Sequence, residues 1–121
     1  MSAFEHLGDV APQQLFDGFL ARTIHGERVT FAIVEIDPDS PLPEHQHENE
    51  QLGMVLRGSM SFRIGDEERE LRPGGTWNIP SNVPHAVTAG PEGAVAIETF
   101  TPVRADWDSL ERGEVSTPLW P

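Results

Sequence analysis

Residues 43–51 read Pro43-Glu44-His45-Gln46-His47-Glu48-Asn49-Glu50-Gln51, and residues 73–85 read Pro73-Gly74-Gly75-Thr76-Trp77-Asn78-Ile79-Pro80-Ser81-Asn82-Val83-Pro84-His85. On an extended strand, side chains two apart share a face, so His45 and His47 can point their imidazole nitrogens at one ion. The pair alone is half a site, and a His-x-His in an acidic, proline-bearing stretch is more often a solvated strand edge. The second stretch delivers His85 just past a Pro-rich turn, where a barrel strand would carry it across from the first pair. Three histidines then converge.

Outward from these two stretches, turn signals recur at short intervals: His25-Gly26, Pro38-Asp39, Arg57-Gly58, Ile64-Gly65-Asp66, Pro73-Gly74-Gly75, Ser81-Asn82 and Ala89-Gly90-Pro91. Between them lie segments rich in β-branched and aromatic residues, which predict strands over 19–24, 29–36, 52–56, 60–64, 76–79 and 94–100. Gly65 beside Asp66 predicts a hairpin tip, because a tight hairpin needs positive φ. Its acidic run Asp66-Glu67-Glu68 reads as solvated. Many short antiparallel strands close into a sandwich or barrel, filled from inside by alternate residues such as Phe62 and Ile64. Residues 11–18 are expected to form a helical turn, and 104–114 one short helix before an irregular tail.

The chain has 121 residues, enough for one domain and too few for a second useful core. With 20 acidic against 8 basic residues its formal net charge is -12, which repels phosphate backbones and anionic lipid at long range. Neither nucleic acid nor membrane is expected as a partner. No apolar run approaches the roughly 20 residues of a membrane span. Residues 1–9 carry Glu5 and Asp9 and lack the basic, apolar and small-residue pattern of a leader, so a cytoplasmic location is expected. There is no cysteine, hence no disulfide, thiolate ligand or thiol nucleophile, and any metal must sit on nitrogen and oxygen.

Taken in order, His45-x-His47-x-x-x-Gln51 followed by Gly58, then Pro73-Gly74-Gly75, Ile79-Pro80 and Pro84-His85, resemble the two motifs of the cupin superfamily. The resemblance covers roughly residues 18–104, with 105–121 as a tail. It implies an all-β, single-domain jelly-roll barrel (a double-stranded β-helix) and one divalent metal ion on His45, His47, His85 and a fourth ligand. Glutamate is usual at the fourth position, where this chain has Gln51 beside Glu50. Gln51 shares the odd parity of His45 and His47, whereas Glu50 points outward unless a bulge shifts the register. Three imidazoles and a neutral amide leave the full charge on the ion, a stronger Lewis acid than a carboxylate would allow. Zn, Ni, Mn, Co and Fe all suit such ligands.

The stretch Glu98-Thr99-Phe100 and Pro102-Val103-Arg104 places an acid, an aromatic ring and a cation together. With Glu98 facing inward, it serves as general acid or base and Arg104 holds a substrate carboxylate by a bidentate contact. The alternative is core for Phe100 and a rim ion pair for Glu98 with Arg104. Phe100, Trp77 and Met54 are the expected pocket residues, although Trp77, Met54 and Met60 also suit plain core. His6 and His25 read as solvated surface, and Trp107 and Trp120 as a barrel-end cap or dimer contact. The ligand pattern with acid-x-Phe-x-x-x-Arg is similar to the small pectin-degradation cupins that open unsaturated uronates to linear ketonised sugars. There the acid is typically aspartate, so Glu98 is a departure.

The resemblance therefore implies a metal-dependent isomerase or lyase acting on a small oxygenated anion, in a homodimer. Polyketide cyclase, carbon–carbon lyase and dioxygenase chemistry share the fold, the dioxygenase needing a redox-active metal. A non-catalytic small-molecule sensor is the other class, weakened by the lack of a helix-turn-helix signal and by the net charge.

Overall fold

The computed structural model describes residues 2–121. Eight strands follow one another as β1 Gln13–Phe16, β2 Phe19–His25, β3 Thr30–Ile36, β4 Pro41–His45, β5 Glu50–Ile64, β6 Glu67–Leu71, β7 Thr76–Ile79 and β8 His85–Thr101. All pairings are antiparallel, in the order β1-β2-β3-β8-β5-β6, with β4 added to β8 and β7 to β5. The architecture is the expected all-β cupin jelly roll. No helix among the described residues is long and apolar enough to cross a membrane.

Two long strands make the barrel. The stretch β5 was expected as two strands separated by a turn at Arg57-Gly58, yet it runs unbroken through register shifts between Val55 and Arg57 and between Gly58 and Met60. The bulge does the bending that a turn was expected to do. Gly58 sits there at φ 76°, and a Cβ at this position would lie 2.1 Å from the Gly93 carbonyl oxygen, so only glycine fits. Strand β8 likewise passes through Ala89-Gly90-Pro91 without a turn. Its first part pairs with β4 and the far end of β5, and its second part with β3 and the near end of β5. The hairpin tip at Gly65 forms as expected, with φ 57° between β5 and β6.

Alternation fills the interior. Along β3, Thr30, Ala32, Val34 and Ile36 turn inward and meet Phe19, Ala21, Ala94 and Ala96 from the neighbouring strands. Phe62, Met60, Val87 and Ile79 close the other side, each buried side chain contributing about 1.5–3 kcal/mol. Phe62 is therefore interior as expected, while Ile64 only flanks the core.

Three local expectations change. Residues 11–18 hold a strand rather than a helical turn, because the backbone of Gln13 and Gln14 pairs with Ala21 and Leu20 of β2. The one N-terminal helical turn lies earlier, a 3-10 turn at Leu7–Asp9. Residues 104–114 supply only the 3-10 turn Ala105–Ser109, after which Arg112 bridges to Gln13. Gln13 is 2% exposed and ties that turn down, donating to the Trp107 and Leu110 carbonyls at 3.1 Å each while its Oε1 accepts from Thr23. His25 is half-buried at the end of β2, its Nδ1 2.8 Å from Thr30 Oγ1, and not the solvated turn residue expected. His6 is exposed, as expected.

Candidate metal centre

Register brings the histidines together. His45 at the end of β4 lies directly opposite His85 at the start of β8, and their ring centroids are 4.2 Å apart. His47 does not sit on the same strand as His45: it belongs to the connection between β4 and β5. That connection is pinned from two sides, by the Asn82 N–H donating to the His47 carbonyl at 2.8 Å and by Asn49 Nδ2 donating to the Pro102 carbonyl at 2.6 Å. One ring nitrogen from each of His45, His47 and His85 lies within 4.8 Å of the other two.

The local backbone sets the tautomers. Nδ1 of His45 is 2.8 Å from the Pro43 carbonyl, Nδ1 of His47 is 2.9 Å from that of Asn49, and Nδ1 of His85 is 2.8 Å from that of Val83. A carbonyl only accepts, so each Nδ1 carries a proton and leaves Nε2 as the ligand nitrogen; Nε2 of His47 faces the Gln51 amide oxygen, another acceptor, at 3.2 Å, and a bound cation would take the place of any proton between them. Burial favours the neutral form of His47 and His85. His85 is depressed to about 4 by burial, with further lowering from His45, His47 and Arg104, and His47 is depressed by burial and by Arg104. Nε2 of His85 is buried without any hydrogen-bond partner, an orphan that a cation would satisfy.

Gln51 closes the set from β5, opposite Ile79 and Phe100. It is 5% exposed, and its Oε1 approaches His47 Nε2 to 3.2 Å while its Nε2 donates to Glu98 Oε1 at 2.9 Å. Its amide oxygen thus faces the histidines and its amide nitrogen is engaged elsewhere. Glu50 is exposed. Three imidazoles and one amide oxygen fit a divalent transition metal, and they lack the several oxygen donors that calcium or magnesium demands. Gln51→Ala is expected to keep the fold and weaken metal retention about 10- to 100-fold, checked by dialysis against a graded chelator.

Glu98, on β8, lines the same cavity as the histidines. Burial pushes its carboxyl up to about 7, against the opposing pull of the Gln51 hydrogen bond and of Arg104. Near neutral pH it holds or releases a proton with little cost. Arg104 is 8% exposed at the cavity wall, with its guanidinium 5.0 Å from the Phe100 ring and 4.2 Å from the Trp107 ring. Its fork is already engaged, Nε and Nη2 donating to the two carboxylate oxygens of Asp106 at 3.0 and 2.9 Å. Arg104 therefore pairs with Asp106 and not with Glu98, and the fork expected to receive a substrate carboxylate is taken.

Phe100 is both core and cavity wall. Trp77 and Met54, expected at the pocket, lie outside this cavity: Trp77 packs on Phe62 at 5.1 Å with its indole against Gly53, and Met54 is on the opposite face of β5 from Gln51 and Val55. The wall instead includes Leu15, Phe16, Leu42 and Met60, with Trp107 at the rim of Arg104. Leu15 and Phe16 were hidden by the helical reading of residues 11–18. No spacing rule marks Asp106, since its role depends on where Arg104 ends.

A barrel of antiparallel strands with an inward cluster of histidines defines the cupin class. The Cupin_2 profile, described as Cupin domain, matches residues 32–100, more than half of the chain, and the chain belongs to that family. It is 38% identical over 64 residues to the pectin degradation protein KdgF of Dickeya dadantii (strain 3937), a match covering 52% of this chain and 58% of that relative. The matched region is thus under two thirds of the relative's length. Among solved structures, KdgF from Halomonas sp. superposes with a TM-score of 0.80 at 25% identity, over 88% of this chain and 98% of that one. An RmlC-like cupin from Shewanella frigidimarina NCIMB 400 gives 0.82 at 19% identity over 88% and 96%, a likeness of fold.

Proposed function

We propose that this chain is a metal-dependent cupin enzyme that opens the ring of an unsaturated uronate to a linear ketonised sugar. The observation that carries the reading is one cavity holding His45, His47, His85 and Gln51 beside Glu98 and Arg104. The likeness to KdgF supports the substrate class. A divalent ion on His45, His47, His85 and Gln51 would supply Lewis acidity for a developing oxyanion.

The chain's own groups do the proton work. In the ring opening, the anomeric hydroxyl loses a proton, the bond from the anomeric carbon to the ring oxygen breaks, and the ring oxygen leaves as an enolate that is protonated on carbon. Glu98 takes the first proton and returns it at the second stage, so the reaction is a balanced isomerisation without any oxidant or reductant. Arg104 provides the cation for the substrate carboxylate. Phe100 and Trp107 give its guanidinium a dry aromatic wall, where attraction to an anion is less screened.

The aliphatic and aromatic lining, including Leu15, Phe16, Leu42 and Met60, favours a second reading in which the substrate is a less hydroxylated enolisable acid, as for a polyketide cyclase or carbon–carbon lyase. Absorbance of unsaturated galacturonate on mixing with the metal-loaded protein separates the two. Loss of the conjugated absorbance at an enzymatic rate is expected. Metal retained with no consumption would transfer the assignment to the second reading.

A further inference from the structure

We propose that Asp106 is a positioning residue that sets the Arg104 guanidinium so that its third nitrogen, Nη1, receives the anionic group of the substrate. The inference rests on the reading of Arg104 as the anion-binding cation of the cavity. Around Arg104 the protein fixes almost every degree of freedom. The backbone N–H donates to Thr30 Oγ1 at 2.9 Å, the aromatic rings of Phe100 and Trp107 flank the guanidinium, and Asp106 takes Nε and Nη2. The turn carrying Asp106 and Trp107 is held in place by Gln13. Nη1 makes no hydrogen bond to the described residues and is not among the fully enclosed unpartnered nitrogens, so it is open to an incoming group on a residue that lines the cavity. The fork is the anchor and the remaining nitrogen is the working end.

Asp106 also carries a negative charge, which opposes an incoming anion. Two magnitudes decide between these effects. The Asp106 carboxylate is 62% exposed, so water and salt screen its charge, whereas the Arg104 side chain it grips is 10% exposed. A flexible arginine that must be immobilised on binding loses about two- to tenfold in affinity. Positioning outweighs repulsion.

The experiment uses full-length, metal-loaded Asp106→Ala and Asp106→Glu proteins. Steady-state kinetics on unsaturated galacturonate are read together with the Nε–H signals of the arginines in proton–nitrogen spectra. Asp106→Ala is expected to raise KM about fivefold while kcat changes far less, and to turn a protected Arg104 Nε–H into a rapidly exchanging one. Asp106→Glu is expected to restore both in part. A lowered or unchanged KM in Asp106→Ala, or an Arg104 signal as protected as in the wild type, would overturn the proposal, and a drop in melting temperature with KM intact would make Asp106 merely structural. A wild-type protein inert on the uronate would defeat the substrate assignment instead, and the Arg104 signal would still decide the role of Asp106.

Discussion

Replacing His47 with alanine is expected to take the bound metal from about one ion per chain to near zero, with affinity falling ~100-fold or more, beyond what loss of a supporting hydrogen bond costs. Elemental analysis of the purified variant measures it. The expectation follows from geometry. His47 is 3.2 Å from the Gln51 oxygen and its ring is 5.0 Å from that of His85, so its removal separates Gln51 from the two remaining histidines. His47 lies in a connection rather than in a strand ladder, so the barrel pairing should survive and the melting temperature of the metal-free protein should change little. Metal retained at full occupancy in the His47→Ala protein would remove His47 from the ligand set.

The second large effect is on turnover. Glu98→Gln is expected to keep the metal and lower kcat on unsaturated galacturonate by roughly 10²–10⁴-fold, the usual weight of a positioned acid or base. The substituted amide keeps the size of the side chain and its oxygen still accepts from Gln51 Nε2, so the Gln51 oxygen stays turned toward the histidines. Only the proton exchange is lost. The pH profile supplies the sign. Glu98 must be ionised to act as base, and burial raises its carboxyl to about 7, so kcat/KM should rise with pH through that region and level off above it. A cation bound nearby moves the midpoint downward by favouring the carboxylate. The rise should be absent from the Gln variant, and full activity there would end the role assigned to Glu98.

Much of the architecture is local information. Turn residues, β-branched segments and a cysteine-free, strongly acidic composition are read one short window at a time, and they determined an all-β chain with its hairpin at Gly65. The two histidine stretches were legible for the same reason, because ligand types and spacings are written along the chain. What bends was less legible. A bulge and a turn use the same residues, so Arg57-Gly58 and Ala89-Gly90-Pro91 predicted turns where β5 and β8 run on, and only pairing across the barrel decides between them.

The site shows the same division. Odd parity picked Gln51 over Glu50, yet the reason that His45 and His47 meet is not shared strand parity: a pinned connection carries His47 back to the His45–His85 pair. Read locally, the chain specified the all-β fold class and the donor types of its histidine stretches, and left Glu98 and Arg104 open between cavity roles and a rim ion pair. Long-range packing turns Trp77 and Met54 away from the cavity, brings Leu15 and Phe16 of β1 to it and gives the arginine fork to Asp106. These depend on which segments approach from far along the chain, a matter of packing and register that no local spacing encodes.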